Sequence, residues 1–231
     1  MARPLRYWYP EGMYHVIINT HNKDYLLQAF REKLILLKII KQHLIKLINK
    51  GRPKVYIIAY AILSNHIHLL IQLPTELKEK QEYIFSELLR NALSQYAKKY
   101  NTSHSRMGQV FMDRAKTIAI QNMKYLGEVI KYIILNPVRT GIISRAREAK
   151  EGLSSYITTI LGIKGELELI EIPEEIKELI KVIKEEIEEE VNIEEETEEI
   201  KKNNVAYGDE KWIEMIESKT KPWKVKLKKS S

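Results

Sequence analysis

The 231-residue chain contains no cysteine. Disulfides, thiolate zinc sites and cysteine nucleophiles are therefore excluded, and any metal must be held through nitrogen and oxygen donors. Such donors suit Mg²⁺ or Mn²⁺ better than a structural zinc. Long apolar runs are missing too. None approaches the roughly 18 residues a membrane-spanning helix requires, and the first residues lack a signal-peptide pattern. These absences lead to the expectation of a soluble, cytoplasmic protein. At 44% hydrophobic residues the chain is long enough to bury one good core and carry an appendage.

What is abundant is charge, and it is divided along the chain. Residues 1–150 hold 25 Lys and Arg against 10 Asp and Glu, a net +15, whereas residues 151–231 hold 13 against 21, a net −8. A basic first part joined to an acidic second part is the asymmetry expected when only the first part meets a polyanion. The plainer alternative is ordinary solvated surface, but +15 lies well beyond balance, and nucleic acid is the favoured partner.

Periodicity gives the element order. A strand is expected over Tyr14–Asn19 and a long helix over Tyr25–Asn49, which Gly51 and Pro53 break. Two β-rich runs, Val55–Leu63 and His66–Leu73, are separated by Ser64-Asn65, a hairpin signal. A helix over Glu82–Tyr100, a loop over Asn101–Gly108, a strand over Thr117–Gln121 and a helix over Met123–Asn136 follow. Pro137 is expected to stop that last helix. The order β-α-β-β-α-β-α predicts an α+β sandwich, an antiparallel sheet with helices mainly on one face. Residues 166–199 hold 16 acidic and 3 basic side chains, yet Ile176, Leu179, Ile180, Ile183, Ile187 and Val191 recur at helical spacing after Pro173. A docked acidic amphipathic helix is expected there, either plain surface or a competitor for the basic groove. Lys219 to Lys229, with Trp223, form a basic tail.

Within this frame, Asn65-His-Ile-His-Leu-Leu-Ile-Gln72 carries two histidines around one apolar residue. Strand alternation puts His66 and His68 on one face, roughly 6–7 Å apart at Cα, while Ile67 points into a core. Two imidazoles at that spacing can converge on one divalent cation, or they can simply face solvent. About sixty residues on, Tyr132 and Asn136 stand four apart on a helix, so a phenol and an amide share a face. A cation held on a strand beside a helical tyrosine supplies the parts for covalent phosphodiester cleavage.

These strings resemble the HUH (His-hydrophobic-His) single-tyrosine DNA transposases, and most closely their REP-associated tyrosine transposase branch. Met1-Ala-Arg-Pro-Leu-Arg6 with Tyr9-Pro10 and Tyr14-His-Val16 is similar to that branch's opening strand. Ala61 to Leu70 resembles its metal motif, Gly108 to Lys116 its "GHxFQGRFK" segment, and Tyr132 to Gly141 its "YIHLNPVRAG" helix end. The likeness covers about residues 1–160. Three departures stand out: Asn19-Thr-His-Asn-Lys23 replaces the usual "RGN", Ile134 stands where many relatives have His, and Leu153 replaces the tryptophan of "WSSY". None of them touches His66, His68, Tyr132 or Asn136.

The resemblance implies a ferredoxin-like catalytic domain over 1–160, with its histidines on an open sheet face; charge and periodicity assign 161–231 to an acidic amphipathic helical extension with a basic tail. It implies Mg²⁺ or Mn²⁺ bound by His66, His68 and the amide oxygen of Asn136, with Tyr132 attacking a phosphodiester to give a 5′-phosphotyrosine and a free 3′-hydroxyl. It also implies a substrate of single-stranded DNA folded into imperfect palindromic hairpins, handled by a monomer or homodimer. Arg3, Arg6, Arg114, Lys116, Lys131 and Arg139 are the candidate DNA contacts, and Tyr7, Trp8 and Tyr9 are candidates for stacking on bases. A free phenol titrates near 10, so nearby cations must favour its ionised form; Lys131, Arg114 and Lys116 are candidates. Glu128 shares the face of Tyr132, as a ligand, a proton acceptor or a structural ion-pair partner. Tyr125 is the competing nucleophile, disfavoured because it lacks the asparagine four residues on. His15, His21, His43 and His104 are read as non-catalytic, and Asn65 as part of the hairpin. Three rivals stand beside this reading: a catalytically degenerate single-stranded or hairpin DNA-binding protein, a hydrolase using water, and a purely structural α+β protein.

Overall fold

The computed structural model describes residues 12–73, 82–112, 114–165, 172–189 and 206–220. Ten principal elements follow in chain order: β1 (Met13–Asn19), α1 (Phe30–Asn49), β2 (Tyr56–Ile62), β3 (His66–Gln72), α2 (Glu82–Ser103), β4 (Lys116–Ile120), α3 (Met123–Arg139), α4 (Glu174–Glu189), β5 (Ala206–Tyr207) and α5 (Glu210–Thr220). They build one five-stranded sheet in the order β2-β3-β1-β4-β5. The first four strands pair antiparallel and β5 joins β4 in parallel, so the sheet is mixed. The α+β class and the β-α-β-β-α-β-α order match the expectation.

Alternation along the strands divides the apolar residues between two cores. Tyr14, Val16 and Ile18 of β1 join Ile67, Leu69 and Ile71 of β3 on one face, under Leu36, Leu37 and Ile40 of α1 and Phe85, Leu88 and Tyr96 of α2. Met13 and Ile17 of β1, Leu70 of β3, and Ile118 and Ile120 of β4 face the other way, under Val129, Ile130 and Ile133 of α3. Helices thus cover both faces, which corrects the expectation that they lie mainly on one. The histidine face is not open. Alternation along β3 puts both histidines on the face that α3 covers, because a face lined by Ile and Leu must be buried.

Asn122 starts α3 by accepting from the backbone N–H of Lys124 at 3.0 Å and of Tyr125 at 3.4 Å, the usual duty of an N-cap asparagine. The helix does not stop before Pro137 but runs one turn further, to Arg139. Pro137 costs it a single i→i−4 bond. The true stop is Gly141, whose φ of +69° suits glycine. Its N–H donates to Val138 and that of Ile142 to Pro137, each at 2.9 Å, the paired bonds of a Schellman ending. The extra turn matters because it carries Arg139 round to the face of Tyr132.

Segments after α3 line both edges of the sheet. Along β2, Ile62 N–H donates to Leu153 at 2.8 Å and Ser155 N–H to Tyr60 at 2.9 Å, while Thr159 Oγ1 donates to Ile58 at 2.9 Å. Along β4, β5 supplies the outer ladder. Helix α4 docks on α3 with Ile176, Ile180, Ile183 and Ile187 buried, and Leu179 and Ile183 lie against Gly127. The expected stripe is therefore the docking face; Val191 lies outside the described residues. No helix among the described residues is long and apolar enough to cross a membrane.

Candidate active site

His66 opens β3 opposite Asn19, and His68 sits opposite Ile17 on the neighbouring strand. Their rings meet edge to face, with centroids 4.8 Å apart. Each has its Nδ1 engaged. Asn65 Oδ1 accepts at 2.6 Å from His66 Nδ1, so the hairpin residue orients the first histidine. His68 Nδ1 lies 2.8 Å from Nε2 of His15, and those two rings stack at 5.0 Å with 26° between planes. Asn65 is itself fixed from the other side, its carbonyl accepting from the backbone N–H and Oγ1 of Thr20, both at 2.9 Å.

The second half of the site comes from α3. The Tyr132 ring stands edge-on to His68 at 5.5 Å and to His15 at 5.7 Å. One turn on, Asn136 Nδ2 lies 3.5 Å from His68 Nε2, and its amide is close enough to the Tyr132 phenol to favour the ionised form. Two turns from Tyr132, the Arg139 guanidinium sits 4.7 Å over the phenol ring and donates to the Tyr132 carbonyl at 3.1 Å. The structure therefore brings His66, His68, Tyr132, Asn136 and Arg139 together.

The cluster is largely buried and rimmed by cations. Burial pushes the His68 imidazolium well below its usual range, helped by His15, His66 and Arg139. Burial likewise lowers His66, with Lys23 and Lys33 adding to the effect. His15 falls to about 3, through burial first and then through Lys116 and His66. All three are neutral at pH 7, the form that offers a lone pair. Burial raises Tyr132, and Arg139 and the Asn136 amide oppose that rise. Lys116 pairs with Ile17 in the sheet and so shares the histidine face; burial lowers its pKa. Lys33 is almost fully enclosed, donates to the Ile62 carbonyl at 2.7 Å, and is lowered to about 8 by burial.

Other sequence candidates go elsewhere. Lys131 turns from the phenol and pairs with Glu186 of α4 at 2.8 Å; Arg139 is the cation placed over the Tyr132 ring. Residues 131 and 132 stand about 100° apart on a helix, and only one of them can face the sheet histidines. Glu128 accepts from the Tyr207 hydroxyl, and Tyr125 packs edge-on against the Tyr207 ring at 5.0 Å. Both serve the β5 junction. Arg114 is half-buried just before β4. Arg3, Arg6, Tyr7, Trp8 and Tyr9 lie outside the described residues, as does the basic tail beyond Thr220. His15 is the residue that sequence reasoning passed over. Its signal was present, since Met13, His15 and Ile17 alternate on the strand that pairs with β3.

The donors suit a hard or borderline divalent cation. No group of three or more His, Cys, Asp or Glu suited to a metal gathers among the described residues. A cation on the two imidazoles would therefore complete its shell with the Asn136 amide, water and substrate oxygens, as Mg²⁺ and Mn²⁺ sites commonly do. With each Nδ1 engaged by a neighbour, the two rings are held in orientation and leave Nε2 for a cation, as ligating histidines require.

No protein-family model matches the sequence, and neither does any curated protein. Among solved structures, one of a REP-associated tyrosine transposase bound to a REP hairpin superimposes with a TM-score of 0.51 and 19% identity, covering 75% of this chain and 94% of that one. A transposase candidate from Deinococcus radiodurans R1 gives a TM-score of 0.33 and 16% identity over 55% of this chain and 91% of its own, too weak a likeness to carry an argument. The chain shares the fold of that REP-associated tyrosine transposase structure.

Proposed function

We propose that this protein is a transposase-like DNA strand nuclease and transferase with Tyr132 as its nucleophile. The observation that carries the reading is the meeting of Tyr132 with His68 at 5.5 Å, with Asn136 reaching both. His66, His68 and Asn136 would hold Mg²⁺ or Mn²⁺, which supplies charge neutralisation on the phosphate and stabilisation of the departing oxygen. Tyr132 Oη forms a bond to phosphorus as the bond from phosphorus to the 3′-oxygen breaks. The phenol gives up its proton and the 3′-oxygen gains one, leaving a 5′-phosphotyrosine and a 3′-hydroxyl. A second 3′-hydroxyl reverses the step at a new junction without ATP. Arg139 and Asn136 offset the cost that burial imposes on the phenolate.

Lys116 and Arg139, with Lys23 and Lys33 near His66, give the surroundings of the cluster the sign that suits a phosphate backbone. The structurally similar transposase was solved with a REP hairpin, which supports hairpin DNA as the substrate class here. Every residue of the proposed site lies within 1–160, in keeping with a catalytic part there and an extension over 161–231.

The test is a denaturing gel of labelled single-stranded hairpins with Mn²⁺, for wild type, Tyr132→Phe and a chelator control. A cation-dependent protein–DNA band absent from Tyr132→Phe is the expected result. Cleavage that survives in Tyr132→Phe without such a band would transfer the reaction to water. Binding with neither band nor cleavage, across a randomised hairpin library, would leave a DNA-binding protein.

A further inference from the structure

His15 is 1% exposed, and its Nδ1 has no hydrogen-bond partner among the described residues. A buried imidazole with one nitrogen unpaired costs stability that a phenyl ring of similar shape avoids. Its position between Met13 and Ile17 on an apolar face therefore calls for a role beyond packing. Among the described residues its ring hydrogen bond runs to His68 Nδ1.

One proton lies in that bond, and which ring carries it decides what His68 can do. A neutral imidazole carries one proton, on Nδ1 or Nε2, and can ligate a cation only through the bare nitrogen. At His66 the matter is decided by Asn65, because Oδ1 only accepts; His66 Nδ1 must donate, and Nε2 is bare. His68 has no such oxygen. With His15 Nε2 as acceptor, His68 carries its proton on Nδ1 and turns a bare Nε2 to Asn136, whose Nδ2 stands 3.5 Å away as a donor. His15 then holds its own proton on the unpaired Nδ1.

We propose that His15 is a positioning residue of the site, holding His68 by hydrogen bond and stacking in the tautomer whose Nε2 can take a cation. The same ring buttresses Tyr132 at 5.7 Å, so one side chain sets the attitude of both the cation ligand and the nucleophile. The proposal rests on the reading of His66 and His68 as ligands, and the experiment separates the two.

Mn²⁺ affinity is measured from the EPR signal of the free ion, on full-length wild type, His68→Ala, His15→Phe and His15→Gln, each checked for cooperative melting. In parallel, ¹⁵N NMR of the histidine rings reports the tautomer of His68 without metal. Wild type should bind Mn²⁺ and His68→Ala should not. His15→Phe should bind about 10–100-fold more weakly, with His68 moving from the Nδ1–H to the Nε2–H form. His15→Gln, whose Oε1 restores an acceptor, should recover most of the affinity. His15→Phe binding as wild type does, with His68→Ala inactive, would overturn the role of His15 alone. Wild type and His68→Ala that both fail to bind would overturn the ligand reading and the proposal with it.

Discussion

Acid should unfold this protein through its own site, and His15 provides the measure. Its pKa is about 3 when folded against 6.5 when free. Above pH 6.5 the residue is neutral in both states and imposes no differential. As pH falls below 6.5 the unfolded chain takes up a proton that the folded chain refuses, so stability drops until pH nears 3. The full drop is about 5 kcal/mol, and at pH 5 about 2 kcal/mol of it has been lost. For a chain of this size that corresponds to roughly 4–8 °C in Tm. The assay compares thermal and denaturant melts at pH 8 and pH 5, in EDTA, for wild type and His15→Phe. Carboxylates elsewhere lose their own contributions equally in both proteins, so the difference between the two pH responses reports His15 together with its effect on His68. Wild type should lose about 2 kcal/mol more than the variant over this interval. Equal losses would mean that neutral burial of His15 is not what the fold requires.

Arg139→Gln removes the cation over the phenol and should raise the Tyr132 pKa, slowing adduct formation by about 10–100-fold and moving the alkaline limb of a single-turnover pH–rate profile upward; an unchanged profile would count against the arrangement. Lys131→Met should leave adduct formation and hairpin affinity as they are while increasing proteolytic cutting within α4, because its partner is Glu186. A tenfold loss of cleavage would return Lys131 to the site. Ile187→Ala, at a fully buried position, should cost about 2–5 kcal/mol in denaturant melts, and a loss under about 1 kcal/mol would show that α4 is loosely seated.

Much of the site was legible because it depends on local spacing. Alternation over His66-Ile67-His68 and the four-residue step from Tyr132 to Asn136 are backbone properties, and the structure keeps both. The helix end was misread because Pro137 is the louder stop signal, whereas Gly141, with two bonds to support it, is the effective one. Placing helices on one side failed for a different reason. β1 alternates between two buried faces, and a strand apolar on both sides does not announce which helix covers which. The placements of His15 and Lys131 were not legible for a related reason, since each side chain meets a partner more than fifty residues away, His68 or Glu186.

The sealing of both sheet edges by late segments bears on how the chain fares while being made. Strands β1 to β4 are complete by residue 120, but the edge of β2 waits for residues 153–159 and that of β4 for residues 206–207. Until then two rows of unpaired amides and carbonyls face outward, the template on which chains add to one another. Nascent or truncated forms ending near residue 140 are thus the species at greatest risk of aggregation, and dependence on chaperones should fall in two steps as each edge strap emerges.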